Sequence, residues 1–308
     1  MASRPRLLDP ATPLLRERLR ALFDQLPAAM AGDEDSIHEM RVAGRRLRVA
    51  LPVLARRPEG KRVRRARRVL RQLTRTAGQS RDLDVSLGLL DKRLETATPP
   101  SRETRLLRRR LRSARGRSRR RMAEALLDLE IARLRRDLRA VLRRRAEPIF
   151  TVTLRLRALR EQHGGGLLEE LAAVATRFDA PALHGLRRRV RRLRYVAELS
   201  ERLRGQDSES PGLLKDLQDQ LGRVHDLFVL SEWLSRQASA AGRAGDGPLE
   251  TVARLLAEAA LAESREAHEA FLANDPAETV RRAVEAIAVA RAPAAPGPVG
   301  AVVEGGSE

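Results

Sequence analysis

Residues 37–48 read IHEMRVAGRRLR, and residues 183–194 read LHGLRRRVRRLR. Shifted by 146 positions, His38 falls on His184, Arg41 on Arg187, Arg45 on Arg191, Arg46 on Arg192, Leu47 on Leu193 and Arg48 on Arg194. A second pair of blocks follows in the same order. LRQLTRTAGQSRDLDV (70–85) lies over LKDLQDQLGRVHDLFV (214–229) at an offset of 144, which aligns Arg71 with Lys215, Gly78 with Gly222, Asp82 with Asp226 and Val85 with Val229. Two blocks at nearly one offset read as a duplicated unit of about 145 residues, a period too long for a solenoid. The duplication predicts two similar halves about a pseudo-twofold axis.

Placed on a helix at about 100° per residue, His38, Arg41, Arg45 and Arg48 form one narrow stripe roughly 15 Å long. Met40, Ala43, Gly44, Leu47, Ala50, Leu51 and Leu54 fill an adjoining apolar face. His184, Arg187, Arg191 and Arg194 repeat the stripe, although Arg189 intrudes on the apolar side, where its stem can snorkel past the core edge. Guanidinium groups stacked about a turn apart can each fork two phosphate oxygens. Parallel cations repel, so such a row costs free energy unless an anion lies along it. The same field lowers the proton affinity of the neighbouring imidazole, which is expected to be neutral near pH 7. Two readings of each histidine stand: a satisfied, half-buried ring, or an N–H donor to a phosphate oxygen.

A further row, Arg105, Arg108, Arg112, Arg115 and Arg119, advances in steps of 3 and 4 and shares a helix face, thickened by Arg109, Arg110, Arg117, Arg120 and Arg121. A solvated face fits it as well as an anion track does. Its counterpart in the second half, residues 251–273, is acidic instead. Asp82 and Asp226, four residues after Gly78 and Gly222, are expected to orient an arginine of the stripe helix. No third acidic or histidine ligand is spaced to complete a metal site, so neither metal nor catalytic residues are assigned.

Composition agrees with these rows. The chain has 308 residues, 61 Lys+Arg and 41 Asp+Glu, for a net charge of +20. Only Lys61, Lys92 and Lys215 are lysines, which leaves 58 arginines. Residues 1–150 carry 40 basic and 18 acidic side chains, whereas residues 151–308 carry 21 and 23. This lopsided charge points to a polyanionic partner. With no cysteine, thiolate metal sites and thiol nucleophiles are excluded. The first residues, MASRPRLLDP, lack the apolar run of a secretory signal, and no stretch is apolar enough to span a membrane.

Leu, Ala, Arg and Glu dominate, which predicts an all-α fold. The one strand-like run is Ile149–Thr153 (IFTVT). Ser36, Ser101 and Asp275 are the expected helix caps, and Gly164–Gly166 marks a kink or short loop. The halves are placed at 11–147 and 148–290, and the Ala/Pro/Gly-rich tail 291–308 is expected to be disordered.

At its repeated blocks the sequence resembles the CHAD family, helical domains named for a characteristic histidine. The carriers are HEMRVAGRRLR (38–48) and HGLRRRVRRLRY (184–195), with AGQSRDLDV (77–85) and LQDQLGRVHDL (217–227) behind them. Ala77 replaces a leucine of the family pattern, and Arg189 is a second departure. The resemblance extends over about 11–290 and implies two tandem antiparallel helical bundles in pseudo-twofold arrangement whose basic faces bind inorganic polyphosphate, with bacterial members associated with polyphosphate granules. Carried over, the binding residues are His38, Arg41, Arg45, Arg46, Arg48, His184, Arg187, Arg191, Arg192 and Arg194. Arg71 and Lys215 join them from the internal repeat, and the Arg105–Arg119 row from charge alone. Some family members follow a triphosphate-hydrolysing tunnel domain with a Glu-x-Glu-x-Lys strand. That pattern is absent, so the chain resembles a stand-alone binding module; it is expected to be non-catalytic, without a cofactor, and cytoplasmic at polyphosphate granules.

Non-specific nucleic-acid binding is the competing reading, since phosphate contacts supply most such affinity. Against it, one Trp, one Tyr, five Phe and the single Asn274 leave few groups for stacking or base reading. A phosphate-metabolising enzyme is the other class, but no Gly-x-x-x-x-Gly-Lys-Ser/Thr loop is present.

Overall fold

The structure, a computed structural model, describes residues 11–96, 101–143 and 148–287. In chain order its helices are α1 (Ala11–Met30), α2 (Glu34–Leu54), α3 (Lys61–Thr96), α4 (Arg102–Leu127), α5 (Ile131–Leu142), α6 (Ile149–Gly164), α7 (Leu167–Ala175), α8 (Ala180–Arg204), α9 (Ser210–Arg243), α10 (Gly247–Ala273) and α11 (Pro276–Ala286). The fold is all-α, with no strand among the described residues. The tail at 291–308 and the Pro99-Pro100 break lie outside them.

Local chemistry fixes several helix starts. Ser101 accepts from the Thr104 N–H, Asp179 from Ala182 and Asp275 from Glu278, each satisfying an amide that the first turn leaves without a partner. At α2 the expected cap is corrected. Asp33, not Ser36, holds the N-cap position, and its Oδ2 accepts from the Ser36 N–H at 2.8 Å. The glycine run resolves as a break: α6 ends at Gly164, and Gly166, at φ +70°, opens α7.

The strand-like run is also corrected, because Ile149–Thr153 forms the first turns of α6. Its β-branched residues lose rotamer freedom in a helix. Val152 and Leu156, four residues apart, bury in the apolar core as α6 packs on α8 and α2, and that tertiary burial outweighs the local preference. Arg155 of α6 also donates to the Val53 and Ala55 carbonyls at the end of α2.

Three apolar clusters form the core. One joins α1, α2, the start of α3, the end of α4, α5 and α6, and includes Val196 and Leu199 of α8. A second joins α7, α8, the first half of α9, Phe271 of α10 and α11. The third takes Leu87 and Leu90 of α3, Leu107 and Leu111 of α4, and the facing ends of α9 and α10 around Trp233. This last cluster is built from both repeat copies, so the copies share a core. Close helix approach supports it locally: a Cβ on Gly44 of α2 would stand 2.9 Å from Thr74 Cγ2 of α3, which reserves that position for glycine. With α2 packed on α3, α8 on α9, α2 on α8 and α3 on α9, the two stripe helices meet at the centre of the molecule.

Candidate anion-binding site

The site follows from which faces α2 and α8 bury. Ile37, Met40, Leu47 and Leu51 are fully buried, as are Leu186, Val190 and Leu193, so the polar stripes beside them are turned toward the seam between the helices. There the two stripes converge. Arg41 is only 8% exposed and lies near enough to Arg45, Arg81 and Arg187 to be repelled by all three. Burial first, and these cations after it, push its guanidinium down to about 10. Arg191 is pushed down to about 9 by burial and by Arg45, Arg187 and Arg41. Asp82 is the carboxylate that offsets some of this charge at Arg41, and Asp226 stands 3.5 Å from Arg187. No ion pair holds Arg41, Arg45 or Arg191 among the described residues. The Nε atoms of Arg41 and Arg187 are buried without a hydrogen-bond partner. For scale, two unit charges about 8 Å apart at an effective dielectric of ~20 repel by about 2 kcal/mol.

The repeat glycines explain how these side chains reach the seam. A Cβ on Gly222 of α9 would lie 3.2 Å from Arg187 Nη2, and one on Gly78 of α3 would lie 4.0 Å from Arg41 Nη2. Each stripe arginine therefore lies across a bare stretch of the neighbouring helix, with the aspartate one turn further on.

A second node adjoins the first. Burial, then Arg71, Arg192, Arg67 and Arg45, push Arg48 down to about 10. Arg192 is lowered by burial and then by Arg188, Arg71 and Arg189. Arg48, Arg71 and Arg192 thus form an arginine cluster with no ion pair among the described residues. Repeat-related Arg46 and Arg192 differ for a visible reason. Glu198 on α8 takes Arg46 in a two-pronged contact at 2.7 and 3.0 Å, and approaches Arg194 at 3.7 Å and Arg18 at 4.0 Å. The residue 146 positions before Glu198 is Pro52, which offers Arg192 no carboxylate.

The structure does not bring every expected residue together. Arg46 and Arg194 are held by Glu198, and their guanidinium groups flank the Tyr195 ring at 5.8 and 5.1 Å. Lys215 is exposed and pairs with Asp219 at 3.1 Å. In the α4 row, Arg108 is bound to Asp91 at 2.6 Å, and Arg115 and Arg119 share the buried Asp84 at 3.4 and 3.0 Å. Arg119 also reaches Glu34. These three face α3 and its acids, seven residues apart, while Arg105 and Arg112 are exposed. Arg189 turns outward, donating to the Gly165 carbonyl and pairing with Glu170.

Both stripe histidines have lowered proton affinity, with burial as the leading cause rather than the arginine field. For His38 the field comes mainly from Arg81, and for His184 from Arg188, Arg187 and Arg191. His184 Nδ1 lies 3.4 Å from His225 Nδ1, with ring centroids 4.5 Å apart, and His225 is pushed down to about 3. One ring of the pair donates while the other accepts. His225 and Arg81 are the members that the stripe pattern alone misses. The 144-residue offset pairs them with each other, and each stands beside its copy's stripe histidine. No group of three or more His, Asp or Glu side chains is arranged to hold a metal among the described residues.

The CHAD domain profile matches residues 13–235. The chain belongs to the CHAD domain family. Solved structures agree on the fold. The CHAD domain from the plant Ricinus communis superposes with a TM-score of 0.63 at 21% identity, covering 94% of this chain and 98% of that one. PptA from Streptomyces chartreusis gives 0.64 at 16% identity, covering 86% and 98%. No curated protein matches the chain. CHAD domains are known for polyphosphate binding in general. In this CHAD domain the departure at Ala77 is fully buried, and no described helix is long and apolar enough to cross a membrane.

Proposed function

We propose that this CHAD domain binds inorganic polyphosphate without chemistry, gripping it along the seam between α2 and α8. The observation that carries this reading is the convergence of Arg41, Arg45, Arg187 and Arg191, buried or half-buried and short of counter-charge, with Arg48, Arg71 and Arg192 extending the array. A linear polyanion relieves the repulsion and supplies acceptors to the Arg41, Arg45 and Arg191 guanidinium groups, which no carboxylate holds among the described residues. Neutral His38 and His184 each donate one N–H. Arg46, Arg194 and Lys215 shape the surroundings through Glu198 and Asp219, and Arg105, Arg108, Arg112, Arg115 and Arg119 form a flanking basic face. The two stripes act as halves of one grip, which the pseudo-twofold duplication supplies, and the same grip docks the protein on cytoplasmic polyphosphate granules. Tyr195 is only 3% exposed and enclosed by two arginines, so the array offers no stacking platform to nucleic-acid bases.

Paired charge reversals test this reading. Arg41→Glu with Arg45→Glu, and Arg187→Glu with Arg191→Glu, are expected to weaken polyphosphate binding at least tenfold and to reduce the salt slope by about 1.4, at ~0.7 per lost phosphate contact. Helicity should be unchanged in circular dichroism, whereas loss of folding would make these arginines structural. Incubating the protein with polyphosphate, with and without Mg²⁺, should release no phosphate. Steady turnover would establish an enzyme instead.

A further inference from the structure

The face of α4 turned away from the α3 acids borders a cleft that the seam does not use. Leu106, Arg109, Arg110, Ser113, Ala114 and Arg117 of α4, with Trp233 and Gln237 of α9, line an open cleft of about 620 Å³. No carboxylate lines it. Arg109 and Arg117 make no ion pair among the described residues, and the Arg110 guanidinium has one long hydrogen bond, 3.4 Å to Gln237 Oε1. Three acids of α3 and α9 are engaged elsewhere: Asp91 by Arg108, Asp84 by Arg115 and Arg119, and Glu232 by Arg236.

We propose that this cleft is a second anion site, separate from the seam, which takes a short oligophosphate group. Arg109 and Arg117 are eight residues apart, about 12 Å along the helix, so the cations are spread too widely for a single phosphate and suit a group with several. Each guanidinium can take two phosphate oxygens, and Ser113 and Gln237 add neutral donors between them. The volume suits a small ligand. Trp233 and Gln237 lie seven and eleven residues beyond Asp226, roughly 10–17 Å further along α9 from the seam. The indole is only 8% exposed and wedged into the third apolar cluster, so it gives no open ring face to a base. The site therefore reads phosphate, and a free oligophosphate or the phosphates of a nucleoside triphosphate satisfy it equally.

The position of the chain's single tryptophan gives a direct readout. Titrating the full chain with tripolyphosphate should give a saturable change in tryptophan emission. The variant Arg109→Gln/Arg110→Gln/Arg117→Gln should lose that change or need at least tenfold more ligand, while Arg191→Gln, which weakens the seam, should retain it. Should the triple variant lose helicity, Arg117→Gln alone, at an exposed position, carries the same test with a severalfold weakening. ATP should reproduce the signal and adenosine should not. The proposal fails if emission stays flat while calorimetry records tripolyphosphate binding, if the signal follows Arg191 rather than the cleft arginines, or if adenosine alone produces it. Because seam and cleft have separate variants and readouts, failure of one leaves the other standing.

Discussion

Gly222 and Gly78 hold repeat-related positions but differ in tightness, and the difference is measurable. An alanine Cβ at 222 meets Arg187 Nη2 at 3.2 Å, so the guanidinium must shift by a few tenths of an ångström, whereas at 78 the 4.0 Å contact with Arg41 is ordinary. Each Gly→Ala change favours the helix by about 0.5–1 kcal/mol. Gly222→Ala should therefore raise the melting temperature slightly while weakening polyphosphate binding severalfold, and Gly78→Ala should raise it with little effect on binding. Equal losses from both would place the arginines elsewhere. Histidines give a second residue-scale prediction. His225, pushed down to about 3, faces His184, Arg187 and Arg191, and its neutral form is the one the fold accepts. Its stabilising contribution is complete above the unfolded value near 6.5 and is lost as pH falls toward 3. A bound polyanion raises the proton affinity of His38, His184 and His225, so binding should take up protons and tighten from pH 8 to pH 5.5. Calorimetry in buffers of different ionisation enthalpy measures that uptake, and proton release would contradict it. The stripe residues were legible because helical period and repeat act locally. Glu198's hold on Arg46 was not, because it joins residues 152 apart in sequence.

At the scale of elements, α4 and α6 show where a one-dimensional reading stops. The steps of 3 and 4 in the Arg105–Arg119 row placed those residues on one face, but which face met α3 depended on Asp84 and Asp91, a tertiary fact. In α6, β-branched residues suggested a strand, and burial of Val152 and Leu156 decided otherwise. Leu156→Ala should cost about 2–4 kcal/mol, read by denaturant unfolding, with wild-type helix content at zero denaturant. Glu198 links α1, α2 and α8 through Arg18, Arg46 and Arg194, and its side chain is 16% exposed. Glu198→Gln leaves three partly buried cations without their carboxylate and should cost about 2–3 kcal/mol. It also frees Arg46 for the seam. Polyphosphate should then restore more stability to this variant than it adds to the wild type, and thermal melts with and without the ligand compare the two.

Across the whole molecule, the charge asymmetry between the halves takes on a spatial meaning. The excess of residues 1–150 supplies α2, α3 and α4, while α8 carries its arginines to the same seam from a half that is otherwise nearly balanced. The all-α class followed directly from composition and helical period. The meeting of the two stripes at one seam did not, because a repeat gives the likeness of two units and not their docking, which the first and third clusters, each drawn from both halves, provide. A site formed from two rows should prefer chains long enough to engage both. The most direct measurement is competition binding of long-chain polyphosphate against duplex DNA and RNA at equal phosphate concentration, over several salt concentrations, with orthophosphate as a control. Long-chain polyphosphate should displace both nucleic acids throughout and bind far more tightly than orthophosphate. Victory of nucleic acid at equal phosphate, or equal affinity for orthophosphate and long chains, would contradict the account.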